Sequence, residues 1–339
     1  MKALSLKEVK SFEVIEKEIP VANDNNVVIK VKKVGICGSD IHMIWATGYQ
    51  AGTDFVIGHE FCGEIYDTGN SNFKVGDRVV AMEIDSCLAC DYCKNGKENI
   101  CDHVLDKGPG IGTDGGYAEY VSVRADMVRL LPDEVSFIEG AMVEPAAISY
   151  HGLKLAHVNE NSKVLITGAG AIGLFAAACA HAMGIKEVII TEINQKKLEI
   201  AKTSGFVKEA LLANQPDIEE QLKEFAPNGF DAVIECSGNK VASTMGLNHL
   251  KKGGHMSLIA YGEQPEINLF NFVNNEYHLS GSLFFTRKEF EEVIKLMQEK
   301  KLKLEPFAKV IKMEEVQTTL ENIEKGIENE IKYIINISE

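Results

Sequence analysis

Hydrophobic and polar positions change rhythm twice along the chain. Residues 27–34 read Val-Val-Ile-Lys-Val-Lys-Lys-Val, and breakers (Gly, Asp, Asn) separate this β-branched run from similar short runs at 61–66, 78–82 and 117–123. Partial alternation between such breakers is the pattern of half-buried strands, so the first part is expected to be β-rich. From about residue 162, apolar strands at 164–167, 188–191, 232–235 and 255–260 are separated by segments long enough for crossover helices. That rhythm predicts an α/β unit with a doubly wound parallel sheet. The alternation breaks near Phe285, after which come an amphipathic helix at 288–300 and a strand-like stretch at 332–337. This tail is expected to pack back on the β-rich part. The expected domains are therefore 1–147 with 286–339, and 148–285. A length of 339 residues agrees, at on the order of 150 residues per domain.

Composition narrows the classes further. With 45% hydrophobic and 25% charged residues, disordered and fibrous architectures are excluded. Fifty acidic against 35 basic residues give a net charge of -15, which repels phosphate backbones and anionic headgroups, and no basic patch offsets it. Nucleic acid and membrane partners are not expected. The longest apolar stretch, 172–182, is interrupted by His181 and falls short of the roughly 20 residues that span a bilayer. No apolar leader follows Met1-Lys2, and a cytoplasmic location is expected.

A glycine loop carries the first chemistry. Gly168-Ala169-Gly170-Ala171-Ile172-Gly173 stands between the strand at 164–167 and an alanine-rich helical run. In that context the first glycine permits a tight turn, the second lets backbone approach a pyrophosphate, and the third lets helix and strand pack closely. The N–H groups at Ala171 and Ile172 would begin the helix whose positive end meets the phosphates. Glu192 closes the next strand about 20 residues on, where a carboxylate accepts from the ribose hydroxyls of NAD and repels a 2′-phosphate. NAD is the expected cofactor, with Lys196 and Lys197 leaving some tolerance of NADP.

Eight cysteines are present, four of them as Cys87, Cys90, Cys93 and Cys101. In a reducing compartment this C-x2-C-x2-C-x7-C cluster points to metal rather than disulfides. Four thiolates without a histidine fit a closed tetrahedral zinc site that staples a loop. The last spacing is longer than in the bacterial iron–sulfur run, and no Pro follows. A looser constellation combines Cys37, Ser39, Asp40 and His42 with Gly58-His59-Glu60 and Glu144-Pro145. A thiolate, an imidazole and one or two carboxylates can hold a zinc with one open position. Spacing alone leaves these as ligands or as packed residues.

Taken together, these motifs, with Gly76-Asp77-Arg78-Val79 and Gly115-Gly116-Tyr117-Ala118-Glu119-Tyr120, resemble the medium-chain zinc-containing dehydrogenases. The likeness is greatest to the polyol (sorbitol or iditol) and 2,3-butanediol branch and covers essentially the whole chain. It implies a GroES-like catalytic domain, a Rossmann NAD-binding domain and an active site between them. By that resemblance Cys37, His59 and Glu144 ligate a catalytic zinc, and Glu60 ligates it or lies just behind. Asp40 would orient His59, while Ser39 takes the substrate hydroxyl proton and passes it through the cofactor ribose and His42 to solvent. Arg287 is expected either to meet a cofactor phosphate or substrate hydroxyl, or to be a surface charge. Trp45, Tyr49 and Phe55 are expected either to wall the substrate pocket or to pack.

The implied function is NAD-linked oxidation of a secondary alcohol (polyol, sugar acid or vicinal diol) to the ketone, with two zinc ions per chain. The same chemistry on a phosphorylated polyol, or a catalytically silent NAD-sensing protein, are the other functions weighed. A homodimer or homotetramer is implied.

Overall fold

The β-branched run at 27–34 becomes β3 (Asn26–Gly35), the strand around which the first unit is built. Val27, Ile29, Val31 and Val34 enter a core with Phe61, Ile65, Val79, Val121 and Ile335, each such burial contributing roughly 1.5–3 kcal/mol. In the computed structural model, which describes residues 1–104, 106–263, 265–327 and 330–338, the chain divides into two units. One is Met1–Glu144 with Thr286–Glu339, and the other is Pro145–Phe285.

In the first unit β1 (Lys2–Glu8) and β2 (Ser11–Glu16) form an antiparallel pair. β3 pairs antiparallel with β4 (Glu60–Asp67), β6 (Tyr120–Arg124) and β15 (Lys332–Asn336). The sheet continues from β4 through β5 (Arg78–Ala81) to β7 (Val128–Leu130), and from β15 to the parallel β14 (Ala308–Lys312). The C-terminal strand thus completes the N-terminal sheet. β6 starts at Tyr120 rather than 117, because Gly116 and Tyr117 instead donate their N–H groups to the carbonyls of Gly58 and Ile57. The expected helix at 288–300 is Arg287–Gln298, started by a capping box of Thr286 and Glu289 and burying Phe290, Val293, Ile294 and Met297.

The second unit is a sheet of six parallel strands. Its order is β10 (Glu209–Leu212), β9 (Glu187–Glu192), β8 (Lys163–Thr167), β11 (Phe230–Glu235), β12 (Leu250–Leu258) and β13 (His278–Gly281). Counted from β8 this is the 3-2-1-4-5-6 order of a dinucleotide-binding sheet, with its switch point between β8 and β11. Val164, Leu165 and Ile166 are wholly buried, as a strand covered on both faces requires. β10 and β13 escape the sequence pattern because each is four residues long and lacks a β-branched run. Among the described residues, no helix is long and apolar enough to cross a membrane.

Candidate active site

Antiparallel register assembles the first cluster. Gly35, at the end of β3, pairs with Glu60, at the start of β4, so Cys37 and His59 fall at one end of the sheet. The donor atoms of Cys37, His59 and Glu60 lie within 4.8 Å of one another. Glu144, in the first turn of the helix Val143–Leu155, is buried close by and acts electrostatically on His59. Glu60 rather than Glu144 therefore completes the closest donor set.

The pocket is strongly anionic. Asp40, Glu60, Glu83 and Glu144 are all buried around the Cys37 thiol, with Lys332 and His59 as buried basic groups. Burial would lower the His59 pKa, but Cys37, Asp40 and Glu144 outweigh it and hold the imidazole well above its ordinary value. Burial, followed by the charges of Glu83 and Glu60, holds Glu144 well above the usual carboxylate range. Glu83, which the sequence motifs do not single out, is pushed up to about 7, first by burial. Both of its carboxylate oxygens and Asp40 Oδ1 lack hydrogen-bond partners among the described residues, while Glu60 is paired with the Lys332 ammonium. Burying so many acids is costly unless a cation compensates them, and a zinc ion fits both that charge and the thiolate, imidazole and carboxylate donors.

Asp40 does less for His59 than the resemblance implies. Its Oδ1 is 3.8 Å from His59 Nδ1, beyond hydrogen-bond range. Its Oδ2 instead accepts from the Cys37 N–H at 2.9 Å and from the buried Tyr117 hydroxyl at 3.0 Å. Asp40 thus braces the backbone of Cys37. Gly58, at φ +97°, makes room for Tyr117, whose Cδ1 would stand 2.2 Å from a Cβ there. Ser39 is half-buried and His42 exposed, next to or within a π-helical turn, Asp40–Trp45. Such turns are rare and occur frequently at functional sites.

The structure gives Arg287 and Trp45 their protein partners. Arg287 donates to the Asp126 carbonyl at 2.6 Å, to Asp126 Oδ2 at 2.8 Å and to Ser86 Oγ at 3.2 Å. Its charge is paired with that carboxylate. Trp45 is 1% exposed and stacks on Phe12 with centroids 5.9 Å apart. It belongs to the core instead of a pocket wall. Phe55 packs against the same core, while Tyr49 is exposed.

The second cluster is the cysteine lobe. The four donor atoms of Cys87, Cys90, Cys93 and Cys101 lie within 4.8 Å of one another, with Cys87–Cys93 and Cys90–Cys101 sulfur distances of 3.9 Å. A tetrahedron with metal–sulfur bonds of about 2.3 Å has edges of about 3.8 Å. N–H groups of Ala89 and Cys90 point at Cys87 Sγ and draw its pKa down to about 6. His103 turns away to Asp106.

In the second unit the glycine loop follows β8 at the switch point. Gly168 has φ +93°, and its N–H donates to the Thr191 carbonyl at 2.8 Å. Gly170 precedes the helix Ala171–Ala182, and a Cβ there would meet nothing within 4 Å. Internal packing does not require a glycine at 170, whereas close approach of a pyrophosphate does. At Gly173 a Cβ would stand 1.8 Å from the Gly168 carbonyl oxygen. Gly173→Ala must therefore distort the loop, at about 1–3 kcal/mol. The expected result is a rise of roughly 5- to 150-fold in the NADH dissociation constant by calorimetric titration; an unchanged constant places the dinucleotide elsewhere. Glu192 closes β9, with Oε2 accepting from Ala169 N–H at 2.7 Å and Oε1 from the N–H groups of Ile193 and Asn194 at 2.9 and 2.8 Å. It clamps the glycine loop to the end of β9, a task its position in the sequence does not reveal.

Comparison with known proteins gives the class. Residues 23–133 match the alcohol dehydrogenase GroES-like domain, and residues 171–299 match the zinc-binding dehydrogenase family. Among curated relatives, a sorbitol dehydrogenase of Halalkalibacterium halodurans is 37% identical over 300 residues, 86% of each chain. An L-threonine 3-dehydrogenase of Pseudoalteromonas translucida is 34% identical over 76% of this chain and 77% of its own length. The crystal structure of a short chain alcohol dehydrogenase from E. coli CFT073 complexed with NADH superposes with a TM-score of 0.90 at 27% identity, covering 99% of each chain. The chain belongs to the zinc-binding alcohol dehydrogenase family. It is a zinc-dependent, NAD-linked oxidoreductase acting on a secondary alcohol.

Proposed function

We propose that Cys37, His59 and Glu60, with Glu144 behind them, hold the catalytic zinc, and that Cys87, Cys90, Cys93 and Cys101 hold a structural one. The observation that carries this is the buried anionic pocket around a thiol, an imidazole and a carboxylate within 4.8 Å of one another. Zinc bound there supplies Lewis-acid polarisation of a substrate hydroxyl, lowering the cost of its deprotonation. Ser39 Oγ, which makes no capping hydrogen bond to the π-helical turn, accepts the hydroxyl proton. His42 is exposed one turn further on and releases that proton to solvent. Asp40 and Tyr117 keep the Cys37 backbone in place throughout. The glycine loop and Glu192 orient the dinucleotide.

The named relatives act on sorbitol and L-threonine, which share a secondary hydroxyl beside a carbon bearing a second polar group. We take a polyol or vicinal diol as the substrate class. The test is reduction of NAD across sorbitol, xylitol, 2,3-butanediol, sugar acids and phosphorylated polyols, with zinc assayed on the same sample. Turnover of polyols or diols with about two zinc ions per chain, one for each site type, supports the proposal; zinc without turnover of any alcohol refutes it.

Glu192 selects the dinucleotide in this scheme. Hydrogen bonds to a charged acceptor are worth roughly 1.5–3 kcal/mol, so Glu192→Ala is expected to lower the NAD-over-NADP ratio of kcat/KM by at least about tenfold. An equal fall with both cofactors would leave Glu192 only its clamping of the loop. The edge strand β13 and the exposed Leu269, Phe270 and Val273 beside it in sequence support a homo-oligomer. The clustered thiols support a reducing, cytoplasmic setting.

A further inference from the structure

Lys332 lies on β15 and is 3% exposed, at the end of the sheet where the donor atoms gather. Its ammonium donates to Glu60 Oε1 at 2.6 Å and to the Ile36 carbonyl at 3.0 Å. Ile36 precedes Cys37 and Glu60 follows His59, so one cation ties together the two segments that carry the donors. Strand register brings it there: Ile334 of β15 pairs with Gly35 of β3, and Gly35 pairs with Glu60 of β4.

Gly35 supplies the space. A Cβ at that position would stand 2.0 Å from Glu60 Oε2 and 3.0 Å from Lys332 Cε. The corner left by the missing side chain is where the pair sits. The ammonium forms a buried ion pair with both Glu60 oxygens.

We propose that Lys332 is a positioning residue that limits how strongly Glu60 holds the catalytic zinc, by sharing the Glu60 carboxylate with the metal. A carboxylate shared between two cations binds each less tightly than it would bind one alone. Glu60 is thereby kept a displaceable ligand, as a site that must admit a substrate oxygen requires. The inference rests on Cys37, His59 and Glu60 being the zinc donors.

The test is zinc release from the holoenzyme to a chelator, with Cys37→Ser identifying the release phase that belongs to this site. If Cys37→Ser retains the full zinc content, the donor assignment itself fails and this inference with it. Where that phase is present, Lys332→Met is expected to slow it about tenfold, within the range by which groups behind metal ligands tune affinity. Lys332→Gln, which keeps a donor without the charge, is the second variant, expected to move the same way and to fold where Met fails. In a Glu60→Gln background the Lys332 substitutions are expected to have no effect on release, because the shared carboxylate is gone. Unchanged or faster release in a folded Lys332 variant overturns the inference while leaving the donor assignment intact. A purely structural lysine would lower the melting temperature without slowing release.

Discussion

Cys37→Ser is expected to lower kcat/KM with alcohol by at least about a thousandfold and to release one zinc per chain. The magnitude follows from the chemistry at stake, since Lewis-acid stabilisation of a developing alkoxide supplies several kcal/mol and about 4 kcal/mol is three orders of magnitude in rate. A serine hydroxyl does not ionise near neutral pH and is a poor zinc ligand, so the site loses its thiolate. His59 and Glu60 remain, but the acids at 40, 60, 83 and 144 are then left without the cation that compensates them. The fold itself should survive, because Cys37 is half-buried and the core of the first unit is made by residues such as Val31, Phe61 and Ile335. The measurements are kcat/KM, zinc content and far-ultraviolet dichroism on one preparation. Undiminished turnover would remove Cys37 from the catalytic site.

Cys101→Ser should act on stability at the lobe. Within 87–104 the buried side chains are Cys93, Asn99, Cys101 and Val104, whereas Leu88, Tyr92 and Ile100 are exposed. A segment with so small a core cannot offset its conformational entropy by burial, so metal binding provides most of its folding free energy. Losing one of four thiolates is expected to release the second zinc and to speed proteolytic cleavage within 87–104 by at least about tenfold, as local opening becomes easy. Cleavage at the wild-type rate, with zinc retained, would refute the structural-zinc assignment. Turnover should fall less than in Cys37→Ser, because the lobe cysteines are not among the donors grouped around His59.

Much of this protein is legible in one dimension. The parallel sheet is announced by the apolar runs 164–166, 188–190 and 232–234 of β8, β9 and β11, buried as strands covered on both faces must be. The glycine loop and the cysteine lobe are local: their chemistry depends on spacings of a few residues, and backbone geometry converts those spacings directly into distances. Glu192 was placed by the same short-range logic, at the end of the next strand.

Features that depend on long-range register could not be read in this way. Lys332 and Glu60 are 272 residues apart in sequence, and their contact arises only because β15, β3 and β4 are neighbours in one sheet. Glu83 looks like an ordinary acid after a strand, and its burial against Glu144 comes from packing. Arg287 carries no sequence mark that it meets Asp126, and Trp45 none that it stacks on Phe12. Sequence alone determined the fold class, the dinucleotide loop and the clustering of the four lobe cysteines, because these rest on residue type and local spacing. The tertiary structure decided that Glu60 gathers with the thiol and imidazole, and that Lys332 pairs with it, because strand pairing sets those distances.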